Sequence, residues 1–311
     1  MQLFFNYSID CETPSNTDYT GPERRPFFHG PATWDFAERS VRGFVERMDA
    51  LGVWDGATLF VYPDVARHQR SLYCEMAAAG IEIALHLNGL RYSKLRGDEA
   101  QWLGEMSRDA QRHAIGMAKQ DLEDTLGQPC DGYRACYGSA NCDTFALCEE
   151  LGFIWASNVG RRYRPEFAAN WSGSWPYAHH ASARSNLICG SLRLFEIPVT
   201  VGLHVYFDES IRQPLDLRVE TPPEHLGEQR EKLRQVIEEN LIEMARRDVP
   251  VRAIIGLSHN VNDFADTATY QSQNLDWVVR YTRELATASG YSVKPAKFTT
   301  MTDYGLQVES Y

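Results

Sequence analysis

The stretch Leu3-Phe4-Phe5-Asn6-Tyr7-Ser8-Ile9-Asp10-Cys11-Glu12 is an apolar run that ends in two acids. Residues 3–9 read as a strand, bounded by the polar, Pro- and Gly-rich segment that follows. Asp10 and Glu12 are two apart, so in extended chain they point the same way. The strand therefore delivers an acidic pair to its carboxyl end, where parallel α/β folds gather their reactive groups.

Working outward, further strands are expected at 58–63, 81–87, 132–134, 153–157, 192–201, 251–258 and 297–302. Amphipathic helices fit between them. Val41, Phe44, Val45 and Met48 share one helical face, as do Leu233, Val236, Ile237, Leu241 and Met244. A third helix carries Trp102, Leu103, Met106, Ala110, Ala114, Met117 and Leu122, with Gly127 placed to end it in a left-handed turn; Gly80, Gly152 and Gly290 read as similar stops. Strands alternating with helices predict parallel neighbours joined by crossovers, in a (β/α) barrel or an open doubly wound sheet. The length of 311 residues favours the barrel as a single domain spanning 1–311. Two long segments break the rhythm, at about 13–34 and 158–191. The second holds Trp171, Trp175, Tyr177, His179 and His180 and reads as a substrate wall or packing flap.

Composition narrows the function. With 31 Lys+Arg against 42 Asp+Glu, the net charge of −11 argues against wrapping a nucleic-acid backbone, which needs clustered cations. No apolar run is long enough to span a bilayer. The N-terminal residues do not resemble a signal peptide, so the cytoplasm is the expected location. Seven cysteines, an odd number, are expected to be reduced thiols. Cys130, Cys136, Cys142 and Cys148 recur every six residues, but this is not a zinc-ribbon spacing, and they read as packing residues.

Polar residues cluster where the expected strands end: Asp10 and Glu12, His86 and Asn88, Arg134, and Ser258-His259-Asn260. One such residue would be only a helix cap, but two acids, two histidines and an arginine together suit a hydrolytic site. In such a site an acid activates water, a histidine protonates the leaving group, and an arginine holds a carboxylate in place. Tyr7, Trp34, Tyr62, Tyr92 and Tyr137 fall near the same ends; each alone is more often a core residue than a platform for a ligand ring.

These motifs resemble those of the polysaccharide deacetylase superfamily, carbohydrate esterases built on a NodB-homology domain. Ser8-Ile9-Asp10-Cys11-Glu12 is similar to an Asp-x-Glu form of its first motif, and His86 matches the first histidine of a His-x-x-x-His motif. Gly132-Tyr133-Arg134-Ala135-Cys136-Tyr137-Gly138 is similar to its arginine-aromatic-glycine turn. Leu257-Ser258-His259 matches its Leu-x-His, and Leu194-Phe195-Glu196-Ile197-Pro198-Val199 looks like a strand before it. The resemblance implies a distorted (β/α) barrel of about seven to eight strands that hydrolyses a carbon–nitrogen bond. Asp10 would be the general base, His259 the general acid and Arg134 a further catalytic residue. Glu12 and His86 would hold a divalent metal such as zinc, and Asn88, Tyr137 and Trp175 would bind substrate. The pattern departs at Leu90, where a second histidine ligand is expected; His29, His179 or His180 from the long segments could replace it.

The departure divides the expectation. The leading reading is removal of an acetyl or formyl group from an amino sugar or saccharide, by base-activated water and with metal assistance. The alternatives are a metal-independent hydrolase of a small cyclic or linear amide, like allantoinase, and a non-catalytic carbohydrate-binding descendant. A small saccharide or amide is the expected ligand, and the sequence leaves the oligomeric state open.

Overall fold

In the computed structural model the expected alternation becomes one curled sheet with helices packed against it. The structure describes residues 1–14, 30–158, 160–208, 213–220 and 226–308. The strands are β1 (Gln2–Cys11), β2 (Ala57–Val61), β3 (Glu82–Leu87), β4 (Gly132–Ala135), β5 (Trp155–Ala156), β6 (Tyr163–Arg164), β7 (Ala169–Asn170), β8 (His179–His180), β9 (Phe195–Glu196), β10 (Val201–Asp208), β11 (Gln213–Asp216), β12 (Ala253–His259) and β13 (Ser292–Pro295). The helices are α1 (Trp34–Ala50), α2 (Pro63–His68), α3 (Arg70–Ala78), α4 (Gly89–Arg96), α5 (Arg108–Leu126), α6 (Thr144–Glu150), α7 (Leu226–Arg246), α8 (Tyr270–Ala288) and α9 (Phe298–Val308).

The main sheet runs β12-β1-β2-β3-β4-β5-β9-β8, with β13 also paired to β1. Its pairings are parallel except for β8 against β9. Parallel order needs a crossover between neighbours, and α1, α3, α5 and α6 supply those from β1 through β5. This curled half-barrel sheet is of the kind expected from the resemblance, a distorted (β/α) barrel of about seven to eight strands.

Burial explains the strand sequences. From Leu3 to Cys11 every residue of β1 is buried, because helices cover one face and the curl of the sheet closes over the other. Val41, Phe44, Val45 and Met48 face the core from α1, as their spacing requires. Gly80, Gly127, Gly152 and Gly290 all take positive φ and end their elements as expected. Among the described residues, no helix is long and apolar enough to cross a membrane.

Several boundaries differ from the sequence reading. The strand expected over 192–201 shrinks to β9 at Phe195–Glu196, and a separate strand, β10, opens at Val201. Residues 297–302 were expected as a strand but open α9; the strand beside them is β13, held by its ladder to β1. The third amphipathic stretch does not begin its helix at Trp102. The Ser107 side chain caps α5 by accepting from the Ala110 backbone N–H, and Leu103–Glu105 forms a separate short turn. The segment 158–191 contains the small β6–β7 hairpin and edge strand β8. Most of 13–34 lies outside the described residues.

Candidate active site

Register brings the polar strand ends together. In β1 and β12, Asp10 pairs with His259; in β3 and β4, His86 pairs with Arg134. Adjacent strands lie about 4.8 Å apart, so a fixed register is enough to set these groups side by side.

Arg134 organises the acidic end of β1. Its side chain is wholly buried, and Nη1 donates to Asp10 Oδ1 at 2.8 Å and to Ser8 Oγ at 2.9 Å. Nε and Nη2 donate to the Ser157 carbonyl and hydroxyl at 2.8 and 3.0 Å. The guanidinium carbon also lies 3.6 Å from the Phe60 ring centroid. Burial lowers the Arg134 pKa, and Asp10 works against that decrease. Burial alone would raise the Asp10 pKa, but His86, Arg134 and His259 outweigh it and hold the acid below its ordinary value.

Opposite stands His259. Its Nδ1 is 2.9 Å from Glu220 Oε1, which also accepts from Ser258 Oγ at 2.9 Å. Burial opposes the imidazolium, yet the Glu220 hydrogen bond and the charges of Glu220 and Asp10 raise the His259 pKa. Two groups suited to opposite proton transfers thus meet across one strand pair, a carboxylate whose charged form is favoured and an imidazole whose protonated form is favoured.

Glu12 and His86 also converge. The Glu12 backbone N–H donates to Asn260 Oδ1 at 2.8 Å, and Asn260 Nδ2 returns a bond to the Glu12 carbonyl at 3.1 Å. His86 Nδ1 lies 3.2 Å from the Arg134 carbonyl, which directs Nε2 toward Asp10 Oδ2 at 3.6 Å and Glu12 Oε1 at 3.7 Å. Cys136, buried at the end of β4, completes a group with Glu12 and His86 whose oxygen, nitrogen and sulfur all lie within 4.8 Å of one another. The set suits a divalent cation. Burial disfavours positive charge on His86, but Asp10 and the hydrogen bonds to Cys136 and Glu12 raise its pKa well above that of a free imidazole.

The other expected residues divide. Asn88 caps α4 by accepting from the Arg91 backbone N–H at 3.1 Å, while its buried Nδ2 has no hydrogen-bond partner among the described residues. Tyr137 follows Cys136 in a left-handed turn, with φ of 55°, and stacks on Phe167 at 4.1 Å. Trp175 stands elsewhere, against Tyr177 and Arg247, lining a cavity of about 610 Å³ that contains none of the Asp10 cluster. His179 and His180 lie on edge strand β8 and bond to the Tyr177 and Leu192 carbonyls; neither belongs to the Glu12 group. His29 lies outside the described residues.

Several of the aromatics near the strand ends are structural, the reading that each alone favours. Tyr7 is buried, its hydroxyl bonded to the Leu217 and Leu257 carbonyls. Trp34 stacks on His68, and Tyr92 donates to Asp121. Tyr62 is buried against His86, with ring centroids 4.7 Å apart.

Two contributors escaped the sequence reading. Cys136 was read as a packing residue, although its position two residues beyond Arg134 at a strand end was a usable signal. Glu220 lies nearly forty positions from His259, and no local pattern joins them.

Comparison with known proteins places part of the sequence and the fold beside a known family. Residues 40–155 match the polysaccharide deacetylase family. The matched segment carries β2, β3 and β4, and with them His86 and Arg134. The match supports a hydrolase of the deacetylase and amidohydrolase kind. No curated protein gives a significant match. A structure from Mycobacterium smegmatis that carries the name polysaccharide deacetylase is 17% identical, with a TM-score of 0.60 over 99% of this chain and 91% of that one. The PuuE allantoinase is 12% identical, with a TM-score of 0.61 over 99% and 92%. A third, from Pseudomonas aeruginosa PAO1 and also named for polysaccharide deacetylase, is 15% identical, with a TM-score of 0.57 over 99% and 92%. At these identities the likeness is one of fold.

Proposed function

We propose that this chain removes an acetyl or formyl group from an amino sugar or small saccharide. The reading rests on the pairing of Asp10 with His259, each held by an oppositely charged partner. Asp10 takes a proton from water as the water oxygen attacks the amide carbonyl carbon. His259 gives a proton to the departing nitrogen as the C–N bond breaks, leaving a carboxylic acid and a free amine. Arg134 is a positioning residue in this scheme, because it fixes Asp10 and is wholly buried. Glu12 and His86 would hold a divalent metal. When bound there, such an ion polarises the carbonyl as a Lewis acid and makes water easier to deprotonate. Tyr137, next to Cys136, and Asn88, just after β3, would contact the substrate.

Purified protein should release acetate or formate from N-acylated amino sugars, and Asp10→Asn and His259→Ala should each lose that activity while keeping the wild-type circular dichroism. Equal turnover by both variants would overturn the assignment. Ring opening of a cyclic amide without acyl-sugar turnover would transfer the same residues to an allantoinase-like reaction. Saccharide binding with no hydrolysis of either substrate would favour the binding descendant.

A further inference from the structure

We propose that Cys136 is a metal ligand, coordinating as a thiolate and supplying the donor that Leu90 lacks. The inference rests on the metal-assisted reading above and adds an identity for the third ligand.

Position 90 offers no donor, since Leu90 is 4% exposed and packed in the core at the start of α4. The replacement comes from the neighbouring strand. His86 lies near the end of β3, Arg134 is its register partner in β4, and Cys136 stands two residues further on, just after β4 closes at Ala135, with its sulfur beside Glu12 and His86. The turn that follows is tightly specified. Tyr137 and Gly138 have φ of 55° and 72°, Gly138 accepts from Trp171 Nε1 at 2.6 Å, and the Ser139 N–H donates to the Cys136 carbonyl at 3.1 Å. A non-glycine residue held at positive φ costs about 1–2 kcal/mol, so packing here imposes the turn that begins at Cys136.

Tyr62 gives the thiol a specific surrounding. Its hydroxyl lies 3.0 Å from Cys136 Sγ and 3.3 Å from Glu12 Oε1, while its ring stacks on His86. One side chain thus touches all three donors, as an outer-shell residue does when it orients a metal site. The other buried cysteines are placed differently: Cys11 points to the Ile9 carbonyl and Cys130 to the Gly132 carbonyl.

Charge supports the assignment. Asp10 is matched by Arg134, so Glu12 and a Cys136 thiolate remain as two negative charges beside a neutral His86 ligand. That balances a dication inside a buried site, where uncompensated charge is costly. A thiolate with imidazole and carboxylate favours zinc or cobalt(II) over magnesium, calcium or manganese, whose preferred donors are oxygens.

The test is titration of metal-free protein with cobalt(II), followed by absorption spectroscopy and competition with zinc and magnesium. Wild type should bind one equivalent, displaced by zinc and not by magnesium, and should develop a thiolate-to-cobalt charge-transfer band in the near ultraviolet. Cys136→Ser should lose the band and weaken binding by at least the roughly 10- to 100-fold that loss of an outer-shell partner costs. Cys136→His should restore affinity without the band, and circular dichroism should show both variants folded. Cobalt bound without the band, or bound equally well by Cys136→Ser, would overturn the role of Cys136 and leave the hydrolytic reading intact. Failure of wild type to bind cobalt or zinc would overturn both the thiolate ligand and the metal-assisted reading.

Discussion

Asp10 and His259 are direct partners in the parallel ladder of β1 and β12, and each is held by an opposite charge from a different part of the chain. Arg134 reaches Asp10 from β4, and Glu220 reaches His259 from the segment after β11. The proposed base and the proposed acid thus have separate hydrogen-bonding partners, although their charges also act on each other.

Asp10→Asn keeps the size of the side chain and removes the proton acceptor. Its kcat/KM should fall by about 10²- to 10⁴-fold, the usual contribution of a positioned acid or base. Steady-state kinetics on the substrate identified in the acyl-sugar screen check this, and wild-type kcat/KM in the variant would remove Asp10 from the role of base.

Arg134→Ala strands a buried carboxylate. Removing one partner of a buried ion pair costs about 3–5 kcal/mol, and the bonds to Ser8 and Ser157 are lost as well. Urea unfolding should show a markedly lower midpoint. An unchanged midpoint would mean that Arg134 does not anchor the strand ends.

Glu220→Gln keeps a hydrogen-bonding group and removes a charge. The Glu220 hydrogen bond and charge help to raise the His259 pKa against burial, so the variant should move the high-pH limb of activity to lower pH. The same linkage governs stability. The stabilisation from a histidine with raised pKa is complete below its unfolded pKa and is lost as pH rises through the folded value. Wild type should therefore lose this contribution above the ordinary histidine range, and Glu220→Gln should lack most of it. Superimposable pH–rate profiles would exclude Glu220 as the residue that tunes His259.

Gly132→Ala tests how tightly β4 is seated. A Cβ at this position would lie 2.0 Å from the Trp155 ring, and Trp155 is itself 1% exposed and stacked on Phe298. Overpacking of this kind costs about 1–3 kcal/mol or more. It should also displace the strand that carries Arg134 and Cys136. A thermal shift assay and the activity assay should fall together, and a variant with wild-type melting behaviour would show that β4 has slack.

The sequence by itself determined the strand-helix alternation, the helix stops at glycine, and the acids, histidines and arginine that end the strands. These are local properties, set by side-chain periodicity, backbone freedom at glycine and the exclusion of polar groups from strand cores. The short boundaries were less legible. Residues 297–302 have strand composition, yet the place beside β1 is taken by β13, and the chain after it turns into α9. Only the tertiary structure decided which polar residues meet. Strand register set Asp10 against His259, curvature brought Glu220 to the imidazole, and the turn at Tyr137 put Cys136 beside Glu12 and His86. It also separated Trp175, His179 and His180 from the cluster. Such contacts join residues far apart in the chain, and the energy that selects them comes from packing the whole sheet, which no local window of sequence contains.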